Sequence, residues 1–120
     1  MPTQFYLEGD IFIEAAPDAA FQNATVYVRL QDTTRADASS RTIIEKVIDN
    51  VSHEPGNAAP LRITLNGQIP DDEVRYTITV HIDVDRDGQV SQGDFITMES
   101  YPVLTQGHPD RVSVRVRQVS

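Results

Sequence analysis

The sequence predicts an all-β fold, a single antiparallel β-sandwich of six or seven short strands. Three observations predict it. Apolar and polar residues alternate with a period of two along most of the chain. Clusters of Gly, Pro, Asn and Asp separate these segments, and almost no segment sustains a helical period. A chain of 120 residues suits one domain, residues 1–120, with two sheets packed around one core as in Ig- and transthyretin-like folds.

The alternation places the strands in order along the chain. In the first segment, apolar residues of one parity run from Phe5 to Ile13, and Gly9 marks a bulge or bend. The segment from Ile43 to Val51 is less regular, which predicts a bent or bulged strand. Four further strands follow from alternating apolar residues: Val26, Val28 and Leu30; Leu61, Ile63 and Leu65; Tyr76, Ile78, Val80 and Ile82; Val112, Val114 and Val116. Turn-forming residues at 15–18, 54–57, 66–67, 70–72 and 107–110 separate them.

Residues 95–101 fit two patterns. Phe95, Met98 and Tyr101 match one stripe of a short helix, whereas alternate residues from Phe95 to Tyr101 match one face of a strand. Pro102 ends either element. We favour a strand, because the surrounding segments are β-type.

The most informative stretch of the chain is the twelve-residue window 83–94. Oxygen-bearing side chains occupy positions 1, 3, 5, 9 and 12, and Gly88 occupies position 6. This is the ligand spacing of an EF-hand-type calcium loop. Calcium takes six to eight oxygen ligands, and a short loop supplies them only by folding back on itself.

We therefore predict a metal site that binds Ca²⁺, with Mg²⁺ as an alternative ion. Its predicted ligands are Asp83, Asp85, Asp87, Gln89, Ser91 and Asp94. The aspartates would ligate through carboxylates, Gln89 through its backbone carbonyl and Ser91 through a water molecule, and Asp94 would close the cage. Val90, at position 8, is predicted to pack into the core.

Two features of this loop depart from the usual EF-hand. Position 12 is Asp94 instead of a bidentate Glu, as in dockerin-type loops, and a strand instead of a helix precedes the loop. We expect weak binding, with a dissociation constant on the order of 10⁻⁴ M, which would fill the site outside the cell but not in the cytosol. The alternative is an acidic hairpin turn without a metal, since Asp and Gly are common turn residues.

Composition limits the classes of function. The chain contains no cysteine, which excludes disulfides and thiolate chemistry. Its net charge of −8, from 18 acidic and 10 basic residues, disfavours nucleic-acid binding. No apolar run approaches the length of a membrane span, and neither a signal peptide nor a lipobox is present. Taken as written, the sequence predicts a cytoplasmic protein. If the sequence is a trimmed form of a longer one, we expect an exported protein.

One segment resembles a known family. It contains the run Val26-x-Val28-x-Leu30-x-Asp32-x-x-x-Ala36-Asp37-Ala38. This run resembles the early strand and following loop of the YbaY-like family, small bacterial lipoprotein-type β-domains that include type III secretion pilotins, the lipoprotein chaperones of the secretin. The later strands agree in order, so the likeness covers residues 5–83. The resemblance implies the fold and a non-catalytic character.

Enzyme signatures are absent from the sequence. It contains no nucleophile elbow, dinucleotide-binding turn or zinc-protease motif. His53, His81 and His108 lie far apart in sequence, but His81 lies two residues before Asp83 on the same predicted strand, within reach of the loop. A metal-dependent hydrolase would need His81 as its base. We predict that the protein is not an enzyme.

The sequence therefore predicts a non-catalytic, calcium-binding β-sandwich that binds or scaffolds a partner. The expected route to a protein partner is an exposed strand edge. Arg111, Arg115 and Arg117 predict a solvated strand face that discourages edge-to-edge pairing. The alternative function is a metal-independent, partner-binding or pilotin-like chaperone domain, in which residues 83–94 form only an acidic turn.

Overall fold

In the computed structural model, the described residues are 3–14, 20–33, 41–56, 59–70, 73–105, 107 and 110–119. They form strands and connecting segments without a helix, so no helix among them is available to span a membrane. The strands are β1 Thr3–Glu14, β2 Phe21–Asp32, β3 Arg41–His53, β4 Leu61–Ile69, β5 Tyr76–Asp83, β6 Phe95–Thr97, β7 Tyr101–Val103 and β8 Arg111–Gln118.

The all-β prediction is confirmed, and each alternating segment of the sequence forms a strand. Residues 95–101 form no helix, but they are not one strand either: β6 ends at Thr97, β7 begins at Tyr101, and residues 98–100 separate them. The expectation that Pro102 ends the element is wrong, because Pro102 lies inside β7. Four sequence features fall outside the described residues: the turn at 15–18, the run Ala36-Asp37-Ala38, the pair Asp71-Asp72, and His108.

The predicted sandwich of two sheets requires correction, because the strands form one continuous sheet. Its order is β3-β2-β5-β6-β8-β1-β4, and β7 pairs with β5 beside this path. The pairing of β1 with β8 makes the sheet continuous, and it is parallel, with Glu8 opposite Arg111 and Glu14 opposite Arg117. Alternation specifies which side chains point inward but not which strands are neighbours, so one curled sheet and two packed sheets give the same pattern.

The two edge strands of this sheet, β3 and β4, approach each other. Lys46 Nζ of β3 donates a hydrogen bond to the Thr64 carbonyl oxygen of β4, at 2.8 Å. A Cβ atom at Gly67 would lie 2.7 Å from Ile44 Cδ1, so the absence of a side chain at Gly67 allows the approach. The sheet therefore curls into a nearly closed cylinder with one opening, the seam between β3 and β4.

The core fills the inside of this cylinder. Inward-facing residues of β1, β2, β5 and β8 are fully buried, among them Ile11, Val26, Val28, Leu30, Ile78, Ile82, Val114 and Val116. β5 departs from the expected pattern of one buried face, because its polar residues Thr77 and His81 are buried as well. The Tyr27 ring of β2 stacks on His81 and helps to cover that face.

Two irregularities were expected in the strands. The predicted bulge in the third segment is confirmed, since the β2–β3 register shifts near Ala24, and Asn23 and Asn50 both adopt positive φ of 59°, which Asn tolerates. Of the two alternatives predicted at Gly9, a bulge or a bend, the bulge is wrong, because the pairing of Gly9 with Ile63 is in continuous register. Gly9 instead permits close packing: a Cβ there would lie 3.1 Å from Ile63 Cγ1.

Replacement of a side chain by alanine should lower the free energy of unfolding more at an inward-facing position than at an outward-facing one. Ile82 is fully buried, so Ile82→Ala is expected to lower the free energy of unfolding by about 2–5 kcal/mol in urea denaturation. Val47 is 48% exposed on an edge strand, and Val47→Ala should cost less than about 1 kcal/mol. Equal losses for the two variants would contradict the burial described here.

Candidate functional site

Residues 83–94 connect β5 to β6 at one end of the cylinder. The first and last residues of this loop, Asp83 and Asp94, are fully buried, whereas the middle of the loop is exposed. Backbone hydrogen bonds attach its base to the segment after β8: Gly93 N donates to the Val119 carbonyl at 2.9 Å, and Val119 N donates to the Asp94 carbonyl at 2.7 Å. The loop therefore has a rigid, buried base and an exposed tip.

Asp94 closes the loop by accepting hydrogen bonds on both carboxylate oxygens. Asp94 Oδ1 accepts from Val84 N at 2.9 Å. Asp94 Oδ2 accepts from Ser91 N at 3.2 Å, and it lies 3.4 Å from Ser91 Oγ and 2.8 Å from His81 Nε2. Most of the hydrogen-bonding capacity of this carboxylate is thus satisfied by the protein itself.

His81 lies beneath the loop, within the reach that the sequence predicted. Its side chain is buried, its Nε2 contacts Asp94, and its ring stacks on Tyr27 with centroids 5.6 Å apart and planes inclined by 22°. Tyr27 also lies under the Arg29 guanidinium, 5.3 Å from ring centroid to Cζ. The role of Tyr27 was not predictable, because nothing in a single sequence indicates that β2 is the neighbour of β5.

Asp83 differs from Asp94 in having one unsatisfied oxygen. Its Oδ2 accepts a hydrogen bond from Gly88 N at 2.8 Å. Its Oδ1 is buried and has no hydrogen-bond partner among the described residues. Gly88, with φ of 79°, provides the sharp turn that the sequence predicted at position 6 and directs its N–H back to Asp83. A buried carboxylate oxygen without a partner is costly, and a proton, a water molecule or a cation would compensate it.

The remaining predicted ligands lie around Asp83. Asp85 and Asp87 are exposed, Ser91 Oγ donates to Asp85 Oδ2 at 3.0 Å, and Gln89 N donates to Asp87 Oδ1 at 2.9 Å. One carboxylate oxygen from each of the four aspartates lies within 4.8 Å of the others: Asp83, Asp85, Asp87 and Asp94. A second set of donor atoms with the same spacing comprises His81, Asp83 and Asp94.

The prediction that Val90 packs into the core is wrong, since its side chain is 55% exposed. The described residues supply no flanking helices, and the middle of the loop extends beyond the end of the sheet. Position 8 therefore has no apolar surface against which to pack.

The pKa values of Asp83 and Asp85, two members of the acidic cluster, are shifted in opposite directions. Burial raises the pKa of Asp83, and the neighbouring Asp85, Asp94 and Asp87 raise it further, while the hydrogen bond from Gly88 opposes the shift. The pKa of Asp85 is lowered by its interaction with Asp83 and by the hydrogen bond from Ser91. Of Asp83 and Asp85, Asp83 is therefore the one that holds a proton more readily.

The arginine stripe on β8 is exposed and paired with acidic residues of β1. Arg117 Nε lies 2.7 Å from Glu14 Oε2, and Arg115 lies 3.5 Å from the other oxygen of Glu14. Arg111 lies 3.5 Å from Glu8. The hydrogen bond from Arg117 lowers the pKa of Glu14. This pattern agrees with a solvated strand face and leaves no concentrated positive charge there.

The seam is the second candidate site. Apolar residues of β3 that pack against the core, including Ile44 and Ile48, remain only partly buried there. A cavity of about 120 Å³ lies between the end of β3 and the start of β4, lined in part by Ile13, Val51 and Leu61. In the described part of the chain, β3 pairs only with β2 and β4 only with β1, so each retains one unpaired edge.

Comparison with known proteins identifies relatives of the whole chain. The family model described as "Type III secretion system lipoprotein chaperone (YscW)" matches residues 4–116. A solved structure of an alternative pilotin from the type II secretion system of Vibrio cholerae is similar, with 26% sequence identity and a TM-score of 0.72. That match covers 98% of this chain and 99% of the pilotin chain. No curated protein sequence matches the chain.

The unsatisfied oxygen of Asp83 predicts a stabilising substitution. The folded-state pKa of Asp83 is raised, so its contribution to stability is present below about pH 4 and is lost as pH rises through the folded-state pKa. Asp83→Asn removes the buried charge, and its amide can donate to the neighbouring carboxylates. In chelator at pH 7, it should raise the free energy of unfolding by about 1–3 kcal/mol, measured by urea denaturation.

The gain should shrink as the pH falls from 7 through the folded-state pKa of Asp83, because the carboxyl group of the wild-type protein then becomes protonated. Asp49→Asn, at an exposed position of β3, is the matched control and should change stability little at either pH. A wild-type protein more stable than Asp83→Asn at pH 7 in chelator would contradict this account.

Proposed function

The chain belongs to the family of type III secretion system lipoprotein chaperones (YscW), and we propose that it is a non-catalytic chaperone that binds a protein of a bacterial secretion system. One observation carries this proposal: the family match extends over residues 4–116, from β1 to β8, and so includes every strand that forms the cylinder and its seam. The likeness to a type II secretion pilotin over nearly the whole length of both chains supports the same role.

The proposed partner is a segment of the secretin, which docks at the seam. The unpaired edges of β3 and β4 offer backbone donors and acceptors to an added strand, and the half-buried Ile44 and Ile48 offer apolar surface to its side chains. Existing contacts across the seam are few, with Lys46 and Thr64 making a hydrogen bond. An incoming segment would replace this contact with a longer set of backbone pairs.

A role outside the cytoplasm fits this function better than a cytoplasmic one. The family is described as lipoprotein chaperones, which favours the exported alternative. Export would also place the loop 83–94 where calcium is abundant enough to fill a weak site.

The proposal of a non-catalytic role also rests on the geometry around His81. A hydrolytic base needs to reach a substrate or a metal-bound water. The His81 side chain is buried, its Nε2 is engaged by Asp94, and its ring is covered on one side by Tyr27. This arrangement suits a structural support for the loop.

Within this chaperone, we propose that residues 83–94 bind Ca²⁺, with Mg²⁺ as the alternative ion. The specific observation in favour is the buried, unpartnered Asp83 Oδ1 beside three further carboxylates. The six sequence-predicted ligands remain the proposed set, and the ion would act as a structural element and not as a reactant.

Cross-linking the seam tests the chaperone proposal. The chain has no cysteine, so Lys46→Cys with Thr64→Cys introduces one thiol pair across the opening. Joining these thiols with a short bismaleimide should block strand addition and weaken binding of the purified secretin partner at least tenfold, or about 1.4 kcal/mol. Affinity is measured by biolayer interferometry before and after the linkage.

The matched control joins two strands that are already paired. Phe12→Cys with Arg115→Cys places thiols at register partners of β1 and β8, and their linkage should leave affinity unchanged. Undiminished binding by the seam-linked protein would refute docking at the seam. Failure of the unlinked wild-type chain to bind the secretin would refute the partner itself.

A further inference from the structure

We propose that a divalent cation bound at Asp83 locks β6, the strand through which the two halves of the sheet are joined. This inference rests on the proposed calcium binding and specifies what the ion does. It follows from three independent features: the unsatisfied oxygen of Asp83, the position of the loop directly before β6, and the shortness of β6 itself.

The junction at β6 is the shortest link in the sheet. In the path of hydrogen-bonded strands, β3-β2-β5 lies on one side of β6 and β8-β1-β4 lies on the other. β6 has three residues, with two register pairs to β5 and three to β8. By comparison, eight register pairs join β2 to β5 and seven join β1 to β8. A short ladder opens more easily than a long one, because fewer bonds break together.

The cation site spans this junction. Asp83 is the last residue of β5, and Asp94 immediately precedes β6. A cation at Asp83 Oδ1 would draw in the nearby carboxylates of Asp85 and Asp87, which approach from the exposed side of the loop. The ion would thereby fix the loop that determines where β6 begins.

Asp94, itself one of the proposed ligands, and the positioning residue His81 transmit this restraint. Asp94 holds the loop closed through Val84 and Ser91, while His81 Nε2 braces Asp94 from β5. The Asp94 and Gly93 backbones bond to Val119, so the same base also holds the end of β8. A loop fixed by a cation therefore restrains β5, β6 and the segment after β8 together.

The cation is a hard, oxygen-preferring one. The set formed by Asp83, Asp85, Asp87 and Asp94 contains only oxygen donors, which suit calcium and magnesium. The alternative set contains His81, but the Nε2 atom of that residue is engaged by Asp94. We therefore assign the site to calcium-class ions, with His81 outside the direct ligands.

Amide hydrogen exchange of the full chain tests this inference. Calcium chloride is added to chelator-treated wild-type protein, and exchange is followed by NMR together with the calorimetric binding heat. We expect calcium to slow exchange of the amides of residues 94–97 and 117–119 at least tenfold, with smaller effects in the β1–β4 ladder. Magnesium chloride is the second probe and should act more weakly.

Three variants make the test specific. Asp83→Asn should lose both the binding heat and the protection, and Asp87→Asn, at an exposed position where folding is not at risk, should weaken calcium affinity at least tenfold. Asp49→Asn, an exposed aspartate of β3, should respond like wild type.

The outcomes separate this inference from the proposals on which it rests. Absence of any binding heat at millimolar calcium would overturn both calcium binding and the locking of β6. Binding that depends on Asp83 without slower exchange at 94–97 would leave calcium binding intact and overturn the lock. Unchanged binding by Asp83→Asn would place the ion elsewhere and overturn the assignment.

Discussion

The parallel pairing of β1 with β8 is the constraint on which the rest of the structure depends. It attaches the β1–β4 pair to the remaining strands, and without it the sheet would end at β8. The two strands lie near opposite ends of the chain, with Glu14 opposite Arg117. Such non-local pairing requires closure of a long loop, which costs conformational entropy, and we therefore expect it to slow folding. The ion pairs of Glu8 and Glu14 with β8 arginines mark this register on the outer surface.

Local features of this structure were predictable from the sequence, and long-range features were not. Alternation located the strands, and the spacing of Asp83, Gly88 and Asp94 located the loop. Alternation of apolar and polar residues shows only which side chains of a strand point into the core. It does not show which strands are neighbours, so neither the parallel β1–β8 pair nor the single curled sheet could be predicted from it. The close packing of Gly9 was not predictable for the same reason, because its partner Ile63 lies on β4, far along the chain.

Asp83 and Asp94, the two buried aspartates of the loop, have different roles, and the spacing of the predicted ligands could not distinguish them. Asp94 satisfies backbone and side-chain donors of the protein, whereas Asp83 keeps one oxygen without a partner. The difference arises from His81, Val84 and Ser91, which surround Asp94 in three dimensions. The loop that carries both residues lies directly before β6, the three-residue strand that joins β5 to β8.

The contact between Lys46 and Thr64 has a chemical consequence for observing the seam. Lys46 is the single lysine of the sequence, and its ammonium group donates to a backbone carbonyl across the opening. Acylating reagents require a free, neutral amine, so the side chain must leave that carbonyl before it reacts. The rate of amine acylation at this one side chain therefore reports how readily Lys46 leaves the carbonyl on the opposite side of the seam. The protein carries its own reporter group, without any engineered label.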